Sequence, residues 1–213
     1  MNVRQIEQFV KDKVQRDKII NSVIGDISQN YKRAFFMAGI PGAGKTEFVQ
    51  FIKRKDIVLI EHDQLLSYLP QYQPKHYYDY RKFGNILVTK LLNTCFKKQL
   101  SFILDGTLSN KGSIKHIKRA LNKDYLVIVV YILQSKDKAW DFTVKREVET
   151  GRPIDKEGFK ATCQKIKPNL LDIFQTYKDN SKFLFILVDK PSNRRLTTIN
   201  DAELIEDMLK KSY

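Results

Sequence analysis

Ala34-Phe35-Phe36-Met37-Ala38-Gly39-Ile40-Pro41-Gly42-Ala43-Gly44-Lys45-Thr46 decides the fold of this chain. Residues 34–38 are an apolar run that ends in a glycine-rich turn, and helical periodicity follows from Thr46 to Phe51. Strand, glycine loop and helix in that order open a parallel nucleotide-binding sheet. Gly39 to Thr46 match G-x-x-x-x-G-K-[ST] in full. Glycines let consecutive amides turn inward around phosphate oxygens, where a Cβ would obstruct them. The helix that follows offers unsatisfied N–H groups and the positive end of its dipole. Gly39, Pro41, Gly42, Ala43, Gly44, Lys45 and Thr46 are therefore the expected nucleotide-binding residues. Lys45 would reach the β- and γ-phosphates of ATP, and the Thr46 hydroxyl would bind Mg2+. The motif leaves kinase, GTPase, ATPase and helicase chemistry open.

Four further strands are expected, at 57–60, 102–104, 125–133 and 183–188. Residues 125–133 are nearly all apolar and β-branched, which suits a central parallel strand covered on both sides. Helices are expected over 2–20, 81–98, 112–121, 136–149, 157–178 and 200–211, with Pro168 kinking or dividing the fifth. Between 68 and 80 lies a polar aromatic stretch that contains Tyr68, Tyr72, Tyr77, Tyr78 and Tyr80. It can line an acceptor pocket, stack a base or pack a lid. The fold class is thus α/β: one P-loop domain over 1–213 with a five-stranded parallel sheet, helices on both faces and a helical extension at 2–29.

Ligands of open parallel sheets bind beyond the carboxyl ends of the strands. Asp63 follows the second strand, placed to orient or deprotonate an acceptor hydroxyl before the γ-phosphate. Glu61 and His62 are neighbouring alternatives; in a strand Glu61 and Asp63 would share one face. Asp105 ends the third strand in Leu104-Asp105-Gly106-Thr107 and can hold Mg2+ through water, contact the acceptor, or serve as an ordinary turn aspartate. Arg146 and Arg152 bracket a helix end in Lys145-Arg146-Glu147-Val148-Glu149-Thr150-Gly151-Arg152-Pro153. Folded over the transferring phosphate from a lid at 146–158, they would offset charge on its oxygens. A solvated helix terminus would also favour them. Asn193, with Arg194 and Arg195, follows the fifth strand, where a loop can pass near the nucleotide base.

Composition narrows the field. Lys and Arg total 38 against 24 Asp and Glu, a net charge of +14. Such a surface attracts anions, which leaves nucleic acid open as a partner beside phosphorylated small molecules and acidic proteins. No apolar run approaches the roughly 20 residues that span a bilayer, and the start lacks a secretory apolar core. Cys95 and Cys163 have no metal-ligand spacing, so no membrane partner and a reducing, cytoplasmic location are expected.

Taken together, Gly39–Thr46, Glu61-His62-Asp63, Leu104-Asp105-Gly106-Thr107 and Lys145–Ile154 resemble the zeta toxin family of P-loop kinases. Polynucleotide 5′-kinases and chloramphenicol phosphotransferases share a similar glycine loop, strand-end aspartate and lid arginines. The resemblance implies an adenylate-kinase-like sheet, phosphorylation of a sugar hydroxyl of UDP-N-acetylglucosamine, and restraint by a small antitoxin protein. It implies Lys45 and Thr46 as ATP and magnesium residues, Asp63 as hydroxyl-activating carboxylate, Asp105 and Thr107 as substrate residues, and Arg146 and Arg152 as a phosphate clamp. Asp105 replaces a family glutamate, and Leu108, Ser109 and Asn110 occupy the neighbourhood of a family arginine. The expected function is ATP-dependent phosphorylation of a hydroxyl on a small molecule. The competing readings are a polynucleotide 5′-hydroxyl kinase and a non-enzymatic, nucleotide-controlled binding module.

Overall fold

The computed structural model describes residues 3–28, 31–190 and 195–198, together with 203, 205, 207 and 208. Six strands form one sheet: β1 (Arg33–Ala38), β2 (Val58–Glu61), β3 (Phe102–Asp105), β4 (Leu126–Leu133), β5 (Phe183–Asp189) and β6 (Arg195–Thr198). Their order is β2-β3-β1-β4-β5-β6. The first five are parallel, and β6 runs antiparallel against β5. After β1 the chain crosses to β2 at the sheet edge, returns to β3 and then passes over β1 to β4. That reversal places a crevice beyond the carboxyl end of β1, where the glycine loop lies. Seven of the eight residues of β4 are buried, so both faces of this strand are covered, as its apolar run predicts. The P-loop α/β fold with a five-stranded parallel sheet is as expected. The four-residue β6 was not foreseen, because Arg195-Leu196-Thr197-Thr198 is too short to carry a pattern.

Eight helices are described: α1 (Val3–Lys11), α2 (Lys13–Ile24), α3 (Lys45–Ile52), α4 (His62–Ser67), α5 (Tyr77–Lys98), α6 (Lys111–Asn122), α7 (Lys136–Thr150) and α8 (Lys156–Tyr177). Four differ from expectation. The single helix over 2–20 is two, because Asp12 takes an extended conformation and caps α2: its carboxylate accepts from Val14 N at 2.7 Å and Gln15 N at 3.2 Å. Arg16 Nη1 closes the break by donating to the carbonyls of Val10 and Lys11, each at 3.2 Å. The strand expected at 57–60 is Val58–Glu61, and His62 and Asp63, expected at its end, lie in the first turn of α4. Finally, α8 runs undivided through Pro168. That proline faces solvent, while Phe159, Cys163, Ile166, Leu170, Ile173 and Phe174 line one buried face on both sides of it. Water can satisfy the carbonyl that loses its partner, and packing outweighs propensity. Tyr77, Tyr78 and Tyr80, expected before a helix beginning at 81, lie inside α5. Asn193 and Arg194 lie outside the described residues, as does most of the helix expected at 200–211, although 203, 205, 207 and 208 are helical.

Aromatic rings knit the core under β1 and β3. Phe102 packs edge-on against Phe36 at 5.8 Å and Phe96 at 5.4 Å, and Phe96 meets Tyr125 at 5.5 Å. The buried Tyr125 hydroxyl donates to the carbonyls of Cys95 and Leu100 at 3.2 Å each, so its polar end is satisfied. Cys95 and Cys163 are free and buried, behaving as small core residues.

One close approach in this packing positions the site. A Cβ on Gly84 of α5 would stand 2.6 Å from His62 Nε2 and 2.8 Å from Leu66 Cδ2 of α4. The ring cannot swing freely, because Nε2 donates to Arg81 O at 3.0 Å. An open helical glycine changed to alanine would gain about 1 kcal/mol. Gly84→Ala is expected to do the reverse, lowering stability by about 1–3 kcal/mol through overpacking. Urea unfolding midpoints decide the sign, and a gain in stability would contradict this packing.

Candidate active site

Five of the residues singled out in the sequence converge beyond the carboxyl ends of β1, β2 and β3: Lys45, Asp63, Asp105, Arg146 and Arg152. The glycine loop supplies the floor. Gly42 has φ 76°, and a Cβ there would stand 2.0 Å from Ala139 O and 2.6 Å from Thr143 Oγ1. Only glycine lets the loop lie directly on α7. Gly44, with φ 87°, opens α3, and Thr46 is half-buried in the first turn of that helix. Lys45 curls back over its own loop, with Nζ donating to Gly39 O at 3.0 Å and Ile40 O at 2.9 Å. Burial pushes its ammonium down to about 8, aided by the charges of Arg146 and Lys190 and opposed by Asp105 and Glu47.

The carboxylates come from adjacent strand ends. Glu61 and Asp105 are register partners across β2 and β3, and α4 carries Asp63 past them. Asp63 Oδ2 receives Arg146 Nη2 at 2.9 Å and also Arg152 Nη1, while His62 Nδ1 lies 3.5 Å from Oδ1. Burial alone would raise the Asp63 carboxyl. The neighbouring His62 ring and the two guanidiniums outweigh it and hold the group below the usual carboxylate range. Asp105 behaves in the opposite way. Burial raises it, Asp63 and Glu47 reinforce the rise, and Lys45 and Arg146 only partly offset it. Its Oδ1 is buried without a hydrogen-bond partner. Glu61 is likewise raised by burial and by the charges of Asp105 and Asp63. Thr107 directs its hydroxyl locally, to Ser109 Oγ at 2.7 Å. The next residue, Leu108, is buried at φ 54° and is pinned by Asn169 Nδ2, which donates to its carbonyl at 2.9 Å. A leucine held at positive φ stores backbone strain in the turn that carries Asp105 and Thr107.

The arginines are set by the α7–α8 connection. Gly151 terminates α7 at φ 71°, its N–H donating to Glu147 O at 2.8 Å. Glu147 Oε1 accepts from Ile154 N at 3.1 Å, and Asp155 caps α8 through Gly158 N at 2.8 Å. The connection therefore has a defined path, and it turns Arg152 back toward Asp63. The Arg152 guanidinium lies 3.8 Å from the ring centroid of Tyr77, and Tyr78 OH donates to Pro153 O at 3.3 Å. Between the loop, α5 and this connection is a cavity of about 220 Å³, with Gly42, Tyr77, Tyr78, Arg81, Arg146 and Arg152 on its walls.

Several site neighbours escaped the sequence reading. Tyr77 was one of a group of tyrosines with no distinguishing pattern. Lys190, just after β5, was passed over in favour of Asn193 to Arg195, yet its Nζ stands against Gly44. The strand-end argument applied to Asp63 and Asp105 would have found it. Among the described residues no group of three or more His, Cys, Asp or Glu is arranged to hold a metal ion. A magnesium ion carried by nucleotide phosphates needs less: one hydroxyl, one carboxylate and waters. Thr46, at the mouth of the loop, and the orphaned Asp105 Oδ1 fit that requirement.

No match was found among the curated proteins. Solved structures share the fold. The structure of the PezAT chromosomal toxin–antitoxin system of Streptococcus pneumoniae is similar over 95% of this chain and 87% of that one, with a TM-score of 0.70 and 19% identity. AvrRxo1-ORF1:AvrRxo1-ORF2, solved with ATP, is similar over 97% of this chain and 70% of that one, at a TM-score of 0.61 and 13% identity. A putative kinase from Chloroflexus aurantiacus is similar over 86% of this chain and all of that one, at a TM-score of 0.54 and 13% identity. The family described as Zeta toxin matches residues 20–194, most of the sequence and all of the site, and the chain belongs to that family.

Proposed function

We propose that the protein is an ATP-dependent phosphotransferase that phosphorylates a hydroxyl of a small molecule, a UDP-N-acetylsugar being the acceptor class suggested by its family. One observation carries this reading: a largely shielded carboxylate, Asp63, is held by Arg146 of α7 and Arg152 of the α7–α8 connection, and the same two arginines wall a cavity with Pro41 and Gly42 of the glycine loop. Phosphoryl transfer asks for positioning and charge stabilisation more than for a strong base, and this set offers both. The loop amides and Lys45 hold the β- and γ-phosphates. Thr46 and Asp105 would hold Mg2+, which would supply positive charge to offset that of the phosphates. Arg146 and Arg152 leave Asp63 for the oxygens of the transferring phosphoryl group. Asp63, freed of both, accepts the acceptor's hydroxyl proton as the new O–P bond forms and the bond to the leaving ADP oxygen breaks. The segment 146–158 acts as the lid, with Gly151 as the hinge. Thr107 sits beside Asp105 on the acceptor side.

The cavity walled by Tyr77, Tyr78 and three arginines has the dimensions of part of one small anionic molecule, which favours a metabolite over a polynucleotide end. The net charge of +14 favours the nucleic-acid reading, and phosphorylation of 5′-hydroxyl RNA at two salt concentrations tests it directly. Likeness to the PezAT toxin–antitoxin system supports an antitoxin protein as partner.

Asp63→Asn is expected to lower kcat by about 10²–10⁴-fold with UDP-N-acetylglucosamine or another verified acceptor. ATP affinity should hold or rise, because the arginines lose a competitor. Turnover equal to wild type with an identified phosphorylated product would remove Asp63 from the chemistry.

The Lys45 ammonium sets a pH limb. Its value near 8 in the free protein rises when phosphates approach, so binding takes up a proton above that pH. Magnesium-free ADP affinity should be level below about pH 7 and fall above about pH 8, approaching tenfold per pH unit. Lys45→Arg, which stays charged, should remove that limb. Isothermal titration calorimetry across this range decides it, and parallel curves for the two proteins would count against the assignment.

A further inference from the structure

Lys190 is a cation that the mechanism above does not use. It follows the last residue of β5, and its backbone N–H donates to Leu133 O, the end of β4, at 3.2 Å. Two neighbouring strand ends therefore fix where its side chain starts. The side chain reaches back over the glycine loop. A Cβ added to Gly44 would stand 1.8 Å from Lys190 Nζ and 3.1 Å from Glu47 Oε2. The ammonium thus lies against the start of α3, where loop amides point toward a phosphate-binding cradle. Among the described residues Nζ has no hydrogen-bond acceptor and no carboxylate within ion-pair distance. Its charge is felt at Lys45, so the two ammonium groups share one small region. An arrangement of like charges around a concave ring of N–H groups is unfavourable until an anion enters it.

The side of the loop on which it stands gives the role. Gly42 faces α7, whose end carries Arg146 and leads to Arg152, and both arginines meet Asp63. Gly44 faces the end of β5 and Lys190. The transferred phosphate belongs on the first side, beside the proton-accepting carboxylate. The phosphates that stay with the nucleoside belong on the second. We propose that Lys190 is a second phosphate-binding lysine, contacting the α- and β-phosphates of the nucleotide from the β5 side of the loop. This inference rests on the nucleotide-binding part of the reading above and extends it to a residue outside the glycine motif. It predicts that Lys190 contributes equally to ADP and ATP, because neither contact involves the γ-phosphate, and nothing to adenosine, which has no phosphate.

The test is calorimetric titration of ADP, ATP and adenosine into wild type, Lys190→Ala, Lys190→Arg and Lys97→Ala. Lys97 is an exposed lysine at the end of α5 and controls for net charge. Loss of a charge-assisted hydrogen bond corresponds to about 10- to 100-fold in affinity. Lys190→Ala should weaken ADP and ATP by that factor in the same proportion, Lys190→Arg should restore most of it, and Lys97→Ala should match wild type. Thermal melts establish that each variant folds. In wild type, ADP should also protect Lys190 from amine acetylation read by mass spectrometry. ADP binding by Lys190→Ala at the wild-type level, or Lys190 acetylated equally with and without bound ADP, overturns the assignment. If wild type binds no nucleotide at all, the phosphotransferase reading fails first and this inference fails with it. If Lys190→Ala weakens ATP but not ADP, the lysine serves the γ-phosphate and the proposed placement is wrong.

Discussion

A single carboxylate oxygen, Asp63 Oδ2, receives two guanidiniums, Arg146 of α7 and Arg152 of the α7–α8 connection. The site depends on this contact, because it joins elements far apart in sequence. Asp63 comes from the start of α4, Arg146 from the C-terminal half of α7 and Arg152 from beyond its glycine terminus. An exposed ion pair would contribute little to such an alignment. Here the carboxylate is about three-quarters shielded, with a relative side-chain exposure of 26%, and it accepts two charge-assisted hydrogen bonds at once. Its proton affinity falls despite burial, whereas that of Asp105, also buried but facing fewer cations, rises. Two aspartates at neighbouring strand ends are thereby driven in opposite directions, one toward a permanent charge and one toward a group that needs a cation to settle it.

The sheet order explains why these groups can meet. With β1 between β3 and β4, the glycine loop leaves the sheet at the point where the chain reverses its winding. Asp105 arrives from the strand on one side of β1, and α7, which follows β4, arrives from the other. Gly42 allows loop and helix to touch, and that contact brings the end of α7 near Asp63. Gly84 does the equivalent on the opposite wall, where α5 meets α4 closely enough to seat His62. Backbone approach at two glycines thus sets the width of the cleft. The aromatic face of Tyr77 then completes the seat of Arg152.

Much of this was legible in the sequence, for identifiable reasons. The glycine loop has a fixed spacing tied to backbone geometry, and the central strand β4 is apolar on both faces, so neither depends on distant context. Asp63 was singled out at a strand end and lies instead in the first turn of α4. Strand-end reasoning located it, but the chain turns into α4 one residue after Glu61, and the period-two argument about facing no longer applies. The N-terminal helix misled in a different way. Val3, Ile6, Val10 and Val14 recur at nearly helical spacing, yet Ile6 and Val10 are buried while Val14 is 61% exposed. The better signal was Asp12 followed three residues later by Gln15, a cap pattern inside an apolar run. Lys190 carried no motif at all. Its position depends on β5 and the loop meeting in space, which local pattern cannot express.

The same geometry gives the proposed chemistry an order. In this structure both arginines are satisfied by Asp63, and Lys45 is satisfied by the carbonyls of its own loop. Each group that would hold a phosphate is therefore already bound to another part of the site. A polyphosphate has to draw Lys45 off Gly39 and Ile40 and the guanidiniums off Asp63, and only the latter exchange exposes the carboxylate to an incoming hydroxyl. In the proposed reaction, proton acceptance would thus be coupled to occupation of the γ-phosphate position by electrostatics, without requiring a large rearrangement of the sheet. The connection between α7 and α8 is suited to that exchange. Hydrogen bonds to Glu147 and the Asp155 cap define its path, and Arg152 reaches from it to Asp63. A nucleotide lacking its terminal phosphate would leave the arginines on Asp63 and the carboxylate occupied, so the free base would appear only when there is a phosphoryl group to transfer.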